Sequence, residues 1–369
     1  GVIDKIPEWI CENTTLNGKP WSFKDHEFQE AIARETAHEM VCVKCSQVGL
    51  SELQVRKTLA FLAIRQGTTA IYVLPHNKFA TKFAKGRVDP VISGSEKLKK
   101  LIVAASDSSE MKMFGYSFLY MGGASNDSSA ISIPAQVLAQ DEYDFCNPQV
   151  LSVYDSRLRH AENGGYKWRF STPTLPGYGI SLEYDQSSRG RYLCKCVHCE
   201  KWSAPDFYRS VVIPGWDKPF EKFEKEDLLD TAFDVDSAYI ACEHCGAEID
   251  TSLSDAKRRE WVHEFPTVDK KGYAVRPFDL MKYNSTKSLI RQLKGYERRS
   301  DYNNFVHGIT HKSKDSQIDE ATVRKCSTLD VVFVGSGFVM GVDVGKTVHV
   351  TVGRREGRTF KVVWYGKIK

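Results

Sequence analysis

Residues 39–52 read Glu39-Met40-Val41-Cys42-Val43-Lys44-Cys45-Ser46-Gln47-Val48-Gly49-Leu50-Ser51-Glu52. The apolar, β-branched run 40–43 signals a strand, and strong helix formers fill 52–65. A strand, a short loop with glycine, a hydroxyl and then a helix is how a phosphate-binding loop is built. Loop amides and the helix N-terminus together favour a polyphosphate. The usual pattern, G-x-x-x-x-G-K-[ST], sets its lysine just before the hydroxyl. Here Leu50 stands in that slot, and Lys44 occupies the first-glycine position. A lysine at the loop entrance reaches the phosphates from the other side, so the charge is moved rather than lost. The candidate nucleotide-binding set is Lys44, Gln47, Val48, Gly49, Leu50 and Ser51. An ordinary strand-to-helix turn has the same look, so the decision rests on what surrounds the loop.

The chain has 369 residues, enough for two or three domains, and a formal charge of +4. That charge permits a polyanionic partner without demanding one. No apolar run reaches the length of a membrane span, and no signal-peptide pattern opens the chain. It begins at Gly1 and stops at Lys369 inside a strand pattern, so a piece of a longer protein is expected.

Upstream of the loop, Phe28-Gln29 opens a helix. The ring can stack on adenine while the amide reads the base edge; an amphipathic helix with Phe28 in the core is the competing reading. Downstream, strand signals at 69–74, 116–121, 136–140 and 166–171 alternate with helical stretches. This predicts an α/β fold, a doubly wound, mostly parallel sheet, with ligands at the carboxyl ends of its strands. The fourth and fifth strands of the series end in informative residues. Asp141 and Ser51 are placed to hold Mg²⁺, and Glu142 to polarise the attacking water. At 171–174, hydroxyls of Ser171, Thr172 and Thr174 can sense the γ-phosphate, while Pro173 stops the strand.

K-C-S-Q-V-G-L-S-E, then L-A-Q-D-E-Y-D, then F-S-T-P-T, together resemble the ATPase of the large terminase subunit of tailed bacteriophages, in its lambda-type branch. That family tolerates a lysine displaced to the loop entrance. By position, Lys44, Gly49 and Ser51 match its nucleotide loop, Asp141 and Glu142 its magnesium and catalytic carboxylates, and Ser171-Thr172-Pro173 its coupling motif. Leu50 is the departure from the pattern. The resemblance implies a motor that hydrolyses ATP with Mg²⁺ and packages double-stranded viral DNA into a procapsid. It also implies a portal protein and a small terminase subunit as partners, a homo-oligomeric ring when active, and work in the host cytoplasm at the procapsid portal. The transition-state charge needs an arginine finger; Arg157 and Arg159 are candidates, in cis or from a neighbouring subunit.

Of ten cysteines, Cys196, Cys199, Cys242 and Cys245 form two C-x-x-C pairs, a spacing that suits a structural tetrahedral Zn²⁺. His198 and His244 are alternates, Cys194 is a spare thiol, and the charged insert between the pairs is expected on the surface. Basic residues between 282 and 299 interleave with apolar ones, as in a solvated amphipathic helix or a DNA-contacting one. Lys78, Lys82 and Lys85 have the same ambiguity. From 331 onward, an apolar strand bearing Asp343 precedes two more strands, which resembles the opening of an RNase H-like nuclease. Asp343 would be the first of the carboxylates holding divalent ions for phosphodiester cleavage, a second metal site beyond that of the ATPase. The expected domains are a P-loop ATPase (1–191), a zinc module (192–252), a basic helical linker (253–330) and the start of a nuclease that cuts concatemeric DNA (331–369). Two other readings remain: a zinc-containing helicase-like translocase, and a non-enzymatic zinc-ribbon scaffold with a decayed nucleotide loop.

Overall fold

The computed structural model describes residues 1–125, 132–161, 164–249, 258–280, 282–311, 337–344, 348–357 and 359–368. The chain forms two compact units, Gly1–Lys312 and Ser313–Lys369.

The first unit is built on a ten-stranded sheet. In chain order its strands are β1 (Glu39–Lys44), β2 (Thr69–Leu74), β3 (Met111–Phe114), β4 (Ser117–Gly123), β5 (Val137–Asp141), β6 (Tyr166–Ser171), β7 (Gly190–Lys195), β8 (Trp202–Ser203), β9 (Arg259–His263) and β10 (Lys271–Val275). Their spatial order is β8-β7-β10-β1-β6-β5-β2-β4-β3, with β9 paired to β7. All pairings from β7 through β4 are parallel, and β3, β8 and β9 add antiparallel edges. Residues 40–44 of β1 and 70–74 of β2 are buried throughout, as expected of strands covered on both faces.

The labelled helices are α1 (Ile6–Asn13), α2 (Phe28–Arg34), α3 (Leu50–Ile64), α4 (Asn77–Phe83), α5 (Pro148–Asp155), α6 (Gly179–Asp185) and α7 (Thr286–Arg291). Helix α3 touches α1 and α2 as well as the strands β2, β4, β5 and β6, so even Gln54, Arg56, Lys57 and Thr58 are buried. Each finds partners: Gln54 Nε2 donates to Trp168 O at 2.9 Å, and Lys57 Nζ donates to Ile32 O, Ala33 O and Glu35 O. Burial pulls the Lys57 ammonium down to about 7. Among the described residues, no helix is long and apolar enough to cross a membrane.

The span 253–330 does not behave as a basic linker where it is described. Strands β9 and β10 join the central sheet, and β10 lies parallel beside β1, with Tyr273 opposite Cys42 and Val275 opposite Lys44. Pairing there buries Tyr273, Ala274 and Val275. The insert between the cysteine pairs also differs from expectation. Phe220 and Phe223 are buried with Phe278, Leu289, Ile290 and Tyr302 in a second core, because the insert's aromatics need cover that residues 278–306 supply. Further basic and apolar positions of the span, and residues 331–336 of the expected nuclease start, lie outside the described residues.

The second unit contains β11 (Val339–Val344), β12 (Val348–Glu356) and β13 (Thr359–Ile368), an antiparallel sheet in that order, with Asp343 opposite His349.

Candidate active site

Because β1, β5, β6 and β10 run parallel, their carboxyl ends share one rim, where open α/β sheets hold ligands. Lys44 ends β1, Asp141 ends β5 and Ser171 ends β6. At this rim Lys44 Nζ lies 2.9 Å from Glu142 Oε1 and 3.9 Å from Asp141 Oδ1. Burial works against the Lys44 charge, but Glu142 and then Asp141 outweigh it and hold the ammonium above the usual lysine value. Asp141 is itself fixed: its Oδ2 accepts from Tyr72 OH at 3.0 Å and its Oδ1 from Glu142 N at 3.0 Å. Burial and the neighbouring Asp141 charge raise Tyr72 well above an ordinary phenol, so it stays a donor. Glu142 has φ +54° and ψ +45°, a left-handed conformation uncommon for a non-glycine residue and typical of strained functional sites.

The loop from 44 to 51 is shaped by two left-handed residues, Gln47 (φ +59°) and Gly49 (φ +76°). Cys45 N donates to Val275 O at 3.3 Å and Ser46 N to Phe305 O at 2.8 Å. The amides of 47–51 donate to no protein group among the described residues. They form a cluster of free donors at the start of α3, suited to an oxyanion. Val48 and Leu50 are each 1 % exposed as whole residues and belong to the main core, so neither side chain is available to a ligand. Leu50 in the usual lysine slot is thereby explained, since that position points inward here. Ser51 sits in the first turn of α3. One turn later, Gln54 Nε2 donates to Gln140 O at 3.4 Å and its Oε1 lies 3.2 Å from Tyr72 OH, which sets the helix start against the end of β5.

Phe28 departs from expectation. It is 1 % exposed and edge-on to Tyr192 at 6.3 Å, so it has no free face for a base; α2 turns this residue into the core beneath the loop. Gln29 is also buried, with Nε2 donating to Val48 O at 2.8 Å. It braces the phosphate loop, while its Oε1 has no partner among the described residues. Arg157 and Arg159 lie at the opposite rim from Glu142: Arg157 O accepts from Ala135 N, just before β5 begins. Helix α5 runs back along the sheet and carries both away from the site.

The turn 171–174 is held by Asp144, a residue without an assigned role in the motifs above. Asp144 accepts from Thr174 N and Thr174 Oγ1 at 2.8 Å each, and donates through its own N–H to Ser171 Oγ at 3.1 Å. An Asp two residues past the Asp-Glu pair reads as a solvated turn residue, and only the fold shows it buried.

The four paired cysteines converge. Their sulfurs all lie within 4.8 Å of one another, with Cys196–Cys245 and Cys199–Cys242 at 3.8 Å. Tetrahedral Zn–S bonds of about 2.3 Å require sulfurs about 3.8 Å apart, so this donor set fits. His244 bonds Trp202 O instead, and Cys194 packs beside the cluster without joining it.

Several basic candidates are occupied: Lys282 pairs with Asp25, and Lys287 and Arg291 with Asp236. Arg299 is packed over Tyr208, Phe220 and Tyr302 and donates to Phe220 O and Phe223 O, a structural role. Lys78, Lys82 and Lys85 are exposed. In the second unit, Asp343 is exposed on β11.

Residues 21–261, more than half of the chain, match the family model of the phage terminase large subunit gpA, ATPase domain. No curated protein matches the chain by sequence. Among solved structures, the large terminase of bacteriophage HK97 is similar at 10 % identity and a TM-score of 0.52, over 98 % of this chain and 67 % of that one. The large terminase ATPase domain of Thermus phage P74-26 aligns at 14 % identity and a TM-score of 0.46, over 76 % of this chain and 92 % of that one. The likeness to the HK97 protein is one of fold. The chain belongs, through its ATPase domain, to the phage terminase large subunit gpA family.

Proposed function

We propose that this chain is the ATP-hydrolysing motor of a large terminase, driving double-stranded DNA into a procapsid from a ring of copies at the portal in the host cytoplasm, with a small terminase subunit as partner. The observation that carries this reading is the contact of Lys44 Nζ with Glu142 and Asp141 at the mouth of a loop with free amides. The scaffold reading with a decayed loop is disfavoured by the same contact, because a buried lysine kept charged by two carboxylates at the loop mouth is the cation that a phosphate ligand requires.

The free amides of 47–51 cradle the phosphates, and Lys44 exchanges Glu142 for the γ-phosphate as nucleotide enters. Released from that ion pair, Glu142 orients the attacking water. Ser51 and Asp141 would hold Mg²⁺, which when bound neutralises charge on the β- and γ-phosphates. Tyr72 keeps Asp141 pointed at the loop. Arg157 and Arg159, on the far rim, serve as the arginine finger only toward a neighbouring copy. Cys196, Cys199, Cys242 and Cys245 hold a structural Zn²⁺, with every thiol used and no open position for catalysis.

Glu142→Gln keeps the shape and removes the charge. Since such proton-handling groups contribute typically about 10²–10⁴-fold, DNA-stimulated ATP hydrolysis should fall at least a hundredfold on that scale, with nucleotide binding retained. Turnover at the wild-type rate would eliminate the mechanism. In the second unit, Asp343 on β11 is proposed as the first metal-binding carboxylate of the DNA-cutting nuclease. Asp343→Ala in the full-length protein should abolish cleavage of concatemeric DNA and leave ATP hydrolysis intact; retained cleavage would exclude the assignment.

A further inference from the structure

Asp144 lies in the single helical turn Tyr143–Phe145, two residues past Glu142. Phe145 N donates to Glu142 O at 3.0 Å, so a rotation at Glu142 carries this turn with it. Both carboxylate oxygens of Asp144 are engaged on other elements. Oδ2 accepts from Thr174 N and Oγ1, and Oδ1 accepts from Ile180 N at 2.5 Å. With the bond from its own N–H to Ser171 Oγ, one residue makes four bonds to the end of β6 and the start of α6. Gly179 is needed for this approach: it has φ +53°, and a Cβ there would sit 2.2 Å from Asp144 Oδ1. The turn beyond has an onward contact, because Thr174 O accepts from His311 N at 3.4 Å. The segment 302–311 also lies on the phosphate loop. Phe305 O accepts from Ser46 N, and Gly308, with φ +62°, comes so close that a Cβ would meet Cys45 N at 2.6 Å.

We propose that Asp144 is a positioning residue that makes the Glu142 loop and the 171–174 turn move as one body, and that the motion leaves through the Thr174 carbonyl into the segment 302–311. This rests on the proposed ATPase reading and extends it to the path by which hydrolysis is felt elsewhere. Buried, mutually satisfied hydrogen bonds do not break one at a time without leaving unpaired groups, so a displacement at Glu142 is passed on rather than absorbed. The 171–174 turn also has an unfilled bond: Thr172 Oγ1 is buried and has no partner among the described residues. A second arrangement of the turn can satisfy it, as a two-state element requires.

The test uses the full-length protein with Asp144→Asn. It reads the melting temperature, ATP hydrolysis without and with DNA, and amide exchange at Thr174 and Ile180 with and without ATP. The expected result is a rate without DNA close to wild type, a DNA stimulation reduced by about fivefold or more, and loss of the ATP-dependent change in exchange at both amides. Where this variant fails to fold, Thr174→Val, which removes one of the four bonds, gives a partial loss of stimulation. Stimulation equal to wild type would overturn the proposal. So would a joint fall of the DNA-free rate and the melting temperature, which would make Asp144 a brace of the fold alone. A wild-type protein that hydrolyses no ATP would remove the ATPase reading, and this relay with it.

Discussion

The displaced lysine is the residue on which the proposed chemistry turns. Lys44 is 5 % exposed, and a buried ammonium persists only where it is paired. Its partners are two carboxylates, and they raise its value above 10.5. The sign follows from linkage: a folded-state value above the unfolded one adds stability that is fully present below 10.5 and is lost as pH rises through the folded value. Across the neutral range Lys44 therefore stays charged and available to a phosphate. A charge-assisted bond of this kind is worth about 1.5–3 kcal/mol, or about tenfold or more in affinity. Glu142 complements it. Its left-handed backbone aims the carboxylate at the lysine rather than along the strand, a strained placement that hydrolysis can use.

Among the elements, the cysteine knuckles make the sharpest claim. The sulfurs stand at the spacing of a tetrahedral ion, and the insert they close packs its aromatics on residues 278–306. Metal binding at such a site is folding energy. The isolated protein should contain one zinc per chain by elemental analysis. Cys242→Ser or a strong chelator should lower the melting temperature by several degrees, since about 2 kcal/mol shifts a domain of this size that far. A metal-free protein with an unchanged melt would contradict the assignment. These pairs were legible in the sequence because four thiols at fixed spacing have few other uses. The position of the strand-to-helix loop 44–51 and the ends of β5 and β6 were legible for a related reason: apolar strands stop where polar residues begin. Strand β10 was not, because Lys271–Val275 is short, carries Gly272, and is held in place by pairing with β1 and β7, which lie far away in sequence. Phe28 reads either way in the sequence, because an exposed stacking ring and a core ring have the same signature, and only the fold places it in the core.

At the scale of the whole first unit, the insertion of β10 next to β1 changes what the phosphate loop touches. The chain from 275 to 311 returns to the loop entrance through Val275 O and Phe305 O, and to the 171–174 turn through His311. Asp144 was illegible for the same reason as β10, since its partners come from β6 and α6 rather than from its own neighbourhood. The molecule thus places the loop 44–51, the acidic pair Asp141-Glu142 and the turn 171–174 on one rim of a single sheet, and residues 275–311 contact the loop and the turn. In the proposed mechanism Lys44 supplies the charge that Leu50 cannot. The measurement that tests it most directly is ATP affinity of Lys44→Met against wild type, by titration with a fluorescent nucleotide in the presence of Mg²⁺. The predicted result is binding weaker by about tenfold or more in a protein that still folds; affinity equal to wild type would contradict the account.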